Sequence, residues 1–272
     1  MTLPLLGVAI LHQDLGPLRN WIFDAGRAVE IQDFITADIL ANDPQDLAQS
    51  YVRALEGHSG PRLLHGPFFG LDLSAPDEEI RAVVQKRLLQ GLAMAETLGC
   101  GVMVVHSPFN YWHVLNRRNY AGLYEWQLEC MEACLRPVLE RAANQGCVLV
   151  LENIDETDPE DRVRLVARLD HPALRVSLDT GHAELAHGRY SAPPVVDFVT
   201  AAGNWLAHVH LQDCDGYADR HWHPGDGIIP WQPVFAALAA LPQALHLILE
   251  VRGDKERLPE TVARLEARGL AR

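Results

Sequence analysis

The chain has 272 residues, of which 48% are hydrophobic, and a formal net charge of −13. That length can bury one large core, so residues 1–272 are expected to form a single domain, while the acidity disfavours broad contact with nucleic acid or an anionic membrane. No apolar run is long enough to span a bilayer, no basic region precedes the first apolar run, and five cysteines form no paired-ligand motif, so a cytoplasmic, reduced setting is expected.

From the N-terminus onward, strand and helix alternate. Leu5–Leu11 reads as a first strand and Ala28–Phe34 as a second, followed by a helix from about Pro44 with Asp43 or Asn42 as its cap. Arg62–Pro67 is a third strand. Ser74 is then placed to cap a long helix running to Leu98, with Asp77, Glu78 and Glu79 at its positive end. Gly101–His106 is a fourth strand, followed by a polar, aromatic loop and a helix from about Tyr120 to Gln145. Cys130 and Cys134 lie one turn apart on that helix and read as packing residues. The last four strands are Cys147–Asn153, Leu174–Asp179, Leu206–Leu211 and Ala244–Val251, and a helix over Lys255–Arg268 closes the chain. The strands are Val/Ile/Leu runs, as parallel strands buried on both faces require. Eight of them alternating with helices imply a (β/α)8 TIM barrel. A doubly wound open sheet is the alternative, disfavoured because no Gly-rich phosphate loop follows the first strand.

The stretch from His208 to Gly227 holds four histidines and four aspartates in twenty residues. Imidazole and carboxylate together suit a borderline divalent metal. A surface loop that happens to be rich in histidine is the bland alternative, and the strand ends argue against it. The third strand ends in His65, the fourth in His106, the fifth in Glu152 and the sixth in Asp179-Thr-Gly-His182; the seventh carries His208 and His210, and the eighth ends in Glu250. Barrel active sites sit at these C-terminal ends. Side chains alternate along a strand, so Val148, Val150 and Glu152 share a face, as do Val102, Val104 and His106, and Ile248 and Glu250. A single histidine there reads most simply as a satisfied core or rim residue. An unpaired carboxylate at the end of an apolar strand is costly unless a cation or hydrogen-bond donors meet it. Glu152, Asp179, His210 and Glu250 therefore form a cage of three carboxylates and one imidazole suited to Mn2+, Mg2+, Co2+ or Zn2+.

These residues give the sequence a resemblance to the xylose isomerase-like barrel superfamily, specifically its sugar-phosphate isomerase/epimerase family. It rests on Leu151-Glu152-Asn153, Leu178-Asp179-Thr-Gly-His182, His208-Val-His-Leu-Gln-Asp213, the segment Asp219 to Trp231, and Leu249-Glu250, and it covers nearly the whole chain. The resemblance implies that Glu152, Asp179, His210 and Glu250 hold the metal and that His182 and His221 lie near the substrate. The same superfamily contains the endonuclease IV family, which cuts DNA at abasic sites with three zinc ions. Its ligand pattern has counterparts in His65, His106, Glu152, Asp179, His182, His210, Asp219, His221 and Glu250. The Pro224-Gly-Asp-Gly-Ile-Ile-Pro-Trp segment resembles the isomerase branch more closely, and the net charge disfavours a DNA partner.

The chemistry expected is enediolate formation on a chelated sugar, with Glu152 and Glu250 as proton carriers. Two bases on opposite faces give epimerisation; one base shuttling between neighbouring carbons gives isomerisation. Arg252 shares the face of Glu250 and can bind a carboxylate or phosphate, or simply form a salt bridge. Tyr111 and Trp112 can wall a sugar ring, or simply pack their loop. A binding protein that keeps a structural metal is a third class. The expected partner is a small carbohydrate, and a homo-oligomer stays open.

Overall fold

The computed structural model describes residues 3–42 and 44–272. The strands are β1 Gly7–Ile10, β2 Val29–Ile31, β3 Arg62–His65, β4 Val102–His106, β5 Val148–Glu152, β6 Leu174–Asp179, β7 Leu206–Leu211 and β8 His246–Leu249. Each falls within the run expected from the sequence. They pair in sequence order, all parallel, and β8 returns to β1 to close the barrel.

Among the described residues the α-helices are α1 His12–Ala25, α2 Ala37–Ala41, α3 Gln45–Ala54, α4 Glu78–Leu98, α5 Tyr111–Asn116, α6 Leu123–Asn144, α7 Glu160–Leu169, α8 Thr180–Tyr190, α9 Val195–Ala202, α10 Trp231–Ala239 and α11 Leu258–Ala267. Two expected starts move. The cap of α4 is Asp77, which accepts from Glu79 N at 2.8 Å and Ile80 N at 3.2 Å, whereas Ser74 closes a turn with Asp72. The reason is Pro76, which disfavours helical backbone at Ala75. Asn42 ends α2 rather than starting α3, and Asp43, the other expected cap, lies outside the described residues. The aromatic loop after β4 contains the short helix α5, and α6 begins only after Gly122, whose φ of 81° suits a residue without Cβ.

The sheet sorts its residues by parity. Outward-facing Val8, Ile10, Leu64, Met103, Val105, Leu149 and Leu151 pack beneath the helices in the large outer core. Inward-facing Ala9, Leu63, Val102, Val104, Val150 and Ile248 fill the barrel floor. Above that floor the alternation carries His106, Glu152 and Glu250 inward, as the sequence implied. Pairing aligns His106 with Glu152 and Asp179 with His210 across neighbouring strands. No described helix is long and apolar enough to cross a membrane.

Candidate metal centre

At the C-terminal end of the barrel, Glu152, Asp179, His210 and Glu250 each offer one donor atom, mutually within 4.8 Å, and all four are buried. The carboxylate oxygens are divided between tasks. Asp179 is the N-cap of α8: its Oδ1 accepts from His182 N at 2.7 Å and from Gln212 Nε2 at 3.0 Å, which leaves Oδ2 with no hydrogen-bond partner. Glu152 Oε1 lies 2.9 Å from His210 Nδ1, while its buried Oε2 is also unpartnered. Glu250 Oε1 accepts from Gln32, and its Oε2 stands 3.3 Å from His210 Nδ1. Buried carboxylate oxygens without donors are expensive. Oxygens converging beside an imidazole are the donor set of a divalent cation, so these residues fit the metal that the sequence implied.

Two further groups flank this cage. His65 and His106 approach Glu152 Oε2 at 3.6 and 3.5 Å, and His182, Asp219 and His221 form the third group. All nine residues singled out from the strand ends and the His-rich loop are therefore brought together. Three of the histidines are set the same way. Nδ1 of His65 meets the carbonyl of Gly66 at 3.1 Å, that of His182 meets Asn153 O at 2.9 Å, and that of His221 meets Glu250 O at 3.1 Å. A carbonyl only accepts, so each Nδ1 carries a proton and each Nε2 is the nitrogen turned toward its cluster.

The loop that supplies Asp219 and His221 is held from beneath. Buried Asp213 accepts from the backbone of Cys214, Gly225 and Ile229 and from the indole of Trp231, at 2.8–3.1 Å. Gln212 joins the loop to the cage through Asp179, Asp219 and His221 N. Gly181 leaves it room, since a Cβ there would stand 2.1 Å from the Gln212 amide carbon. His221 itself has a φ of 49°, in the left-handed region that is uncommon for a non-glycine residue.

Electrostatics separate the members. Burial works against charge on His210, yet Glu250, Glu30 and Glu152 around it hold its pKa well above the usual imidazole value. Burial likewise opposes ionisation of Glu152, and His210 beside it drives its pKa well down. Asp179 goes the other way: burial raises it to about 6. His106 is depressed to about 3 by burial.

A cavity of about 480 Å3 opens onto the cage, lined by Gln32, Phe68, Phe69 and Ile154 and, of the cage itself, by Glu152 and Glu250. It is of ligand size. Arg252 stands in its wall, exposed, with no ion-pair or hydrogen-bond partner for its guanidinium among the described residues. Trp112 is not among the lining residues; its ring lies against Tyr120 and His113, and Tyr111 stacks on Tyr190. The apolar wall is made instead by Phe68 and Phe69, with Phe68 stacked on His106 at 3.9 Å. Two polar residues of the site, Glu30 and Gln32, carry no sequence signal: Val29-Glu30-Ile31-Gln32 alternates like a strand with one face in water.

A family model described as "Xylose isomerase-like TIM barrel" matches residues 24–272. Among curated proteins, the D-psicose 3-epimerase of Ruminiclostridium cellulolyticum is 26% identical over 193 residues, 68% of this chain and 61% of that protein. The chain spans about three fifths of the length of the curated relatives it matches. Among solved structures, the TTHB071 protein of Thermus thermophilus, soaked with ZnCl2, is 28% identical with a TM-score of 0.71, covering 98% of this chain and 99% of that one. A D-tagatose 3-epimerase-like protein has a TM-score of 0.74 at 19% identity, covering 97% and 100%, and shares the fold.

Proposed function

The chain belongs to the xylose isomerase-like TIM barrel family, and from that premise we propose that it is a divalent-metal-dependent isomerase or epimerase of a ketose or ketose phosphate. The observation that carries this reading is the pair of buried, unpartnered oxygens, Glu152 Oε2 and Asp179 Oδ2, converging with His210 and Glu250 beneath a ligand-sized cavity. The names of relatives, a D-psicose 3-epimerase and a fructoselysine 3-epimerase, support the substrate class. In this reading Glu152, Asp179, His210 and Glu250 hold the ion, which is Mn2+, Zn2+, Mg2+ or Co2+. Bound there, the ion would supply Lewis acidity to the oxygens of a ketose.

The chain's own residues do the rest. Glu152 and Glu250 project from non-adjacent strands, so they meet a substrate carbon from different sides, one removing a proton and the other returning it. Gln32 holds Glu250 in place, and His210 holds Glu152. His182, His221 and Asp219 bind hydroxyls or a further ion, as do His65 and His106. Phe68 and Phe69 exclude water from one side, and Arg252 receives an anionic end. Five buried free cysteines suit a reducing cytoplasm.

The test is NMR of a panel of ketoses and ketose phosphates in deuterated water with each metal. Deuterium entering beside the carbonyl supports the reading, and no exchange on any member with folded, metallated protein ends it. The three ligand groups also match the donor set of an abasic-site nuclease, so metal content is counted in parallel. Three zinc ions together with chelator-sensitive incision of an abasic duplex would favour the nuclease instead.

A further inference from the structure

His210 differs from the other histidines of the site. His65, His182 and His221 each bond a backbone carbonyl through Nδ1 and face their clusters with Nε2. His210 is reversed: Nδ1 faces the carboxylates of the cage, and Nε2 points down into the barrel, where it meets Glu30 Oε1 at 2.8 Å. Glu30 rises from β2, is fully buried, and has no cationic Lys or Arg partner among the described residues. Its other oxygen lies 3.0 Å from His208 Nε2, close although not aligned as a hydrogen bond. His208 in turn meets the Ser177 hydroxyl with Nδ1 at 2.8 Å.

We infer that Glu30 is a positioning residue for the metal, buried beneath the cage to fix the tautomer of His210 and to strengthen it as a ligand. This rests on the reading of the cage as a divalent-metal site. The proton arrangement follows from donors and acceptors. An ionised Glu30 only accepts, so both histidine Nε2 atoms facing it carry hydrogens. His208 is then a neutral acceptor at Nδ1, which the Ser177 hydroxyl satisfies by donating. His210 keeps its Nε2 proton on Glu30, so Nδ1, which faces Glu152, Asp179 and Glu250, is the nitrogen that would give up its proton and offer a lone pair to an ion. A carboxylate behind a ligating imidazole orients the ring and raises its basicity, and loss of such a partner typically costs about 10–100-fold in metal affinity. In His65, His182 and His221 the hydrogen-bond partner of Nδ1 is a neutral backbone carbonyl. Of these four histidines, His210 is the one whose nitrogen turned away from its cluster is hydrogen-bonded to a carboxylate.

The geometry also says what Glu30→Gln would do. A glutamine can present its single carbonyl oxygen to only one of the two imidazoles. If the oxygen faces His210, the ring keeps its orientation but loses the charge behind it. If the amide faces His210, Nε2 must accept, and the ring proton is then fixed on Nδ1, the nitrogen that an ion needs.

Two measurements decide it. Co2+ affinity is read by competition with a chromophoric chelator for the wild-type full chain, Glu30→Gln and Glu152→Gln, with circular dichroism as the folding control. The expected result is about 10–100-fold weaker Co2+ binding in Glu30→Gln, with a shifted Co2+ absorption spectrum. Equal affinity and an identical spectrum in a folded Glu30→Gln overturn the inference. The second measurement needs no variant, so it stands even if Glu30→Gln fails to fold. Two-bond proton–nitrogen correlation spectra of the Zn2+-loaded wild type should show His210 bound through Nδ1, with a hydrogen-bonded proton on Nε2. Zinc on Nε2 overturns the inference. A wild type that takes up neither ion refutes the metal cage itself. Tight binding lost in Glu152→Gln but kept in Glu30→Gln refutes only the role of Glu30.

Discussion

The two faces of the barrel sheet are built on opposite principles. On the outer face, every strand meets helices through Val, Ile, Leu and Met, with the buried Arg162–Glu156 pair a polar exception. On the inner face the apolar floor is a small cluster, above which stand Glu30, Ser177, His208, His210, Glu152 and Asp179, all buried. One face is held by contact area, which tolerates exchange of similar shapes. The other is held by matching each donor to an acceptor, and it leaves two carboxylate oxygens of the cage over. Stability and chemistry are thus separated by a single step along a strand.

Leu151 and Glu152 are the sharpest place to break that comparison, because they are neighbours on opposite faces. Glu152→Gln should lower kcat by about 10²–10⁴-fold, the range of a lost acid–base group, and strip bound metal while circular dichroism stays unchanged. Retained metal and activity in this variant would remove Glu152 from the site. Leu151→Ala should do the reverse. It removes a fully buried side chain from the outer core and should cost about 2–5 kcal/mol in urea unfolding, with metal affinity unaltered.

A third substitution probes the loop. Asp213→Asn takes away one acceptor oxygen from four donors around the carboxylate, and the stability loss should be about 1–3 kcal/mol. Any ion held by His182, Asp219 and His221 should be weakened, while one held by Glu152, Asp179, His210 and Glu250 should remain. Equal loss from both would show that the loop is not a separate support.

The mildest effect is on acid stability. His106 has its pKa lowered from 6.5 to about 3 by burial, although Glu152 opposes the shift. Between those values the unfolded chain binds a proton that the folded one does not, so stability falls as pH is lowered from 6.5 toward 3. The slope from one such group is at most about 1.4 kcal/mol per pH unit. With metal removed by chelator, His106→Asn should flatten the curve of unfolding free energy against pH in that window, and an unchanged slope would contradict the depressed pKa.

The same contrast explains what can be read in the sequence. Outer-face residues and strand ends are legible because a long apolar run that terminates in His, Glu or Asp breaks a pattern. That is why the barrel and the nine clustered residues can be located from Leu-Glu152, Leu-Asp179 and their kin. Glu30 breaks nothing: a polar residue between Val29 and Ile31 has the same period whether its face looks at water or at the inside of a closed barrel. Only closure of β8 onto β1 decides, and that is a long-range event. Phe68 and Phe69 are hidden for a related reason, since nothing local distinguishes the wall of a cavity from a packed loop, and Trp112 looks equally suitable. Helix α1 is masked by Gly16 and Pro17 within it.

Asp179 has a consequence for how substitutions at the site should be ranked. One of its oxygens begins a helix and the other faces the cage, so the length of the side chain is set from two directions at once. Glutamate would keep the charge and still be unsuitable: one extra methylene cannot both reach back to His182 N and leave the second oxygen where it stands. Asparagine would keep the cap through its carbonyl and present an amide to the cage. At this position chemical similarity is a poor guide to tolerance, and the replacement that looks most conservative disturbs two tasks rather than one.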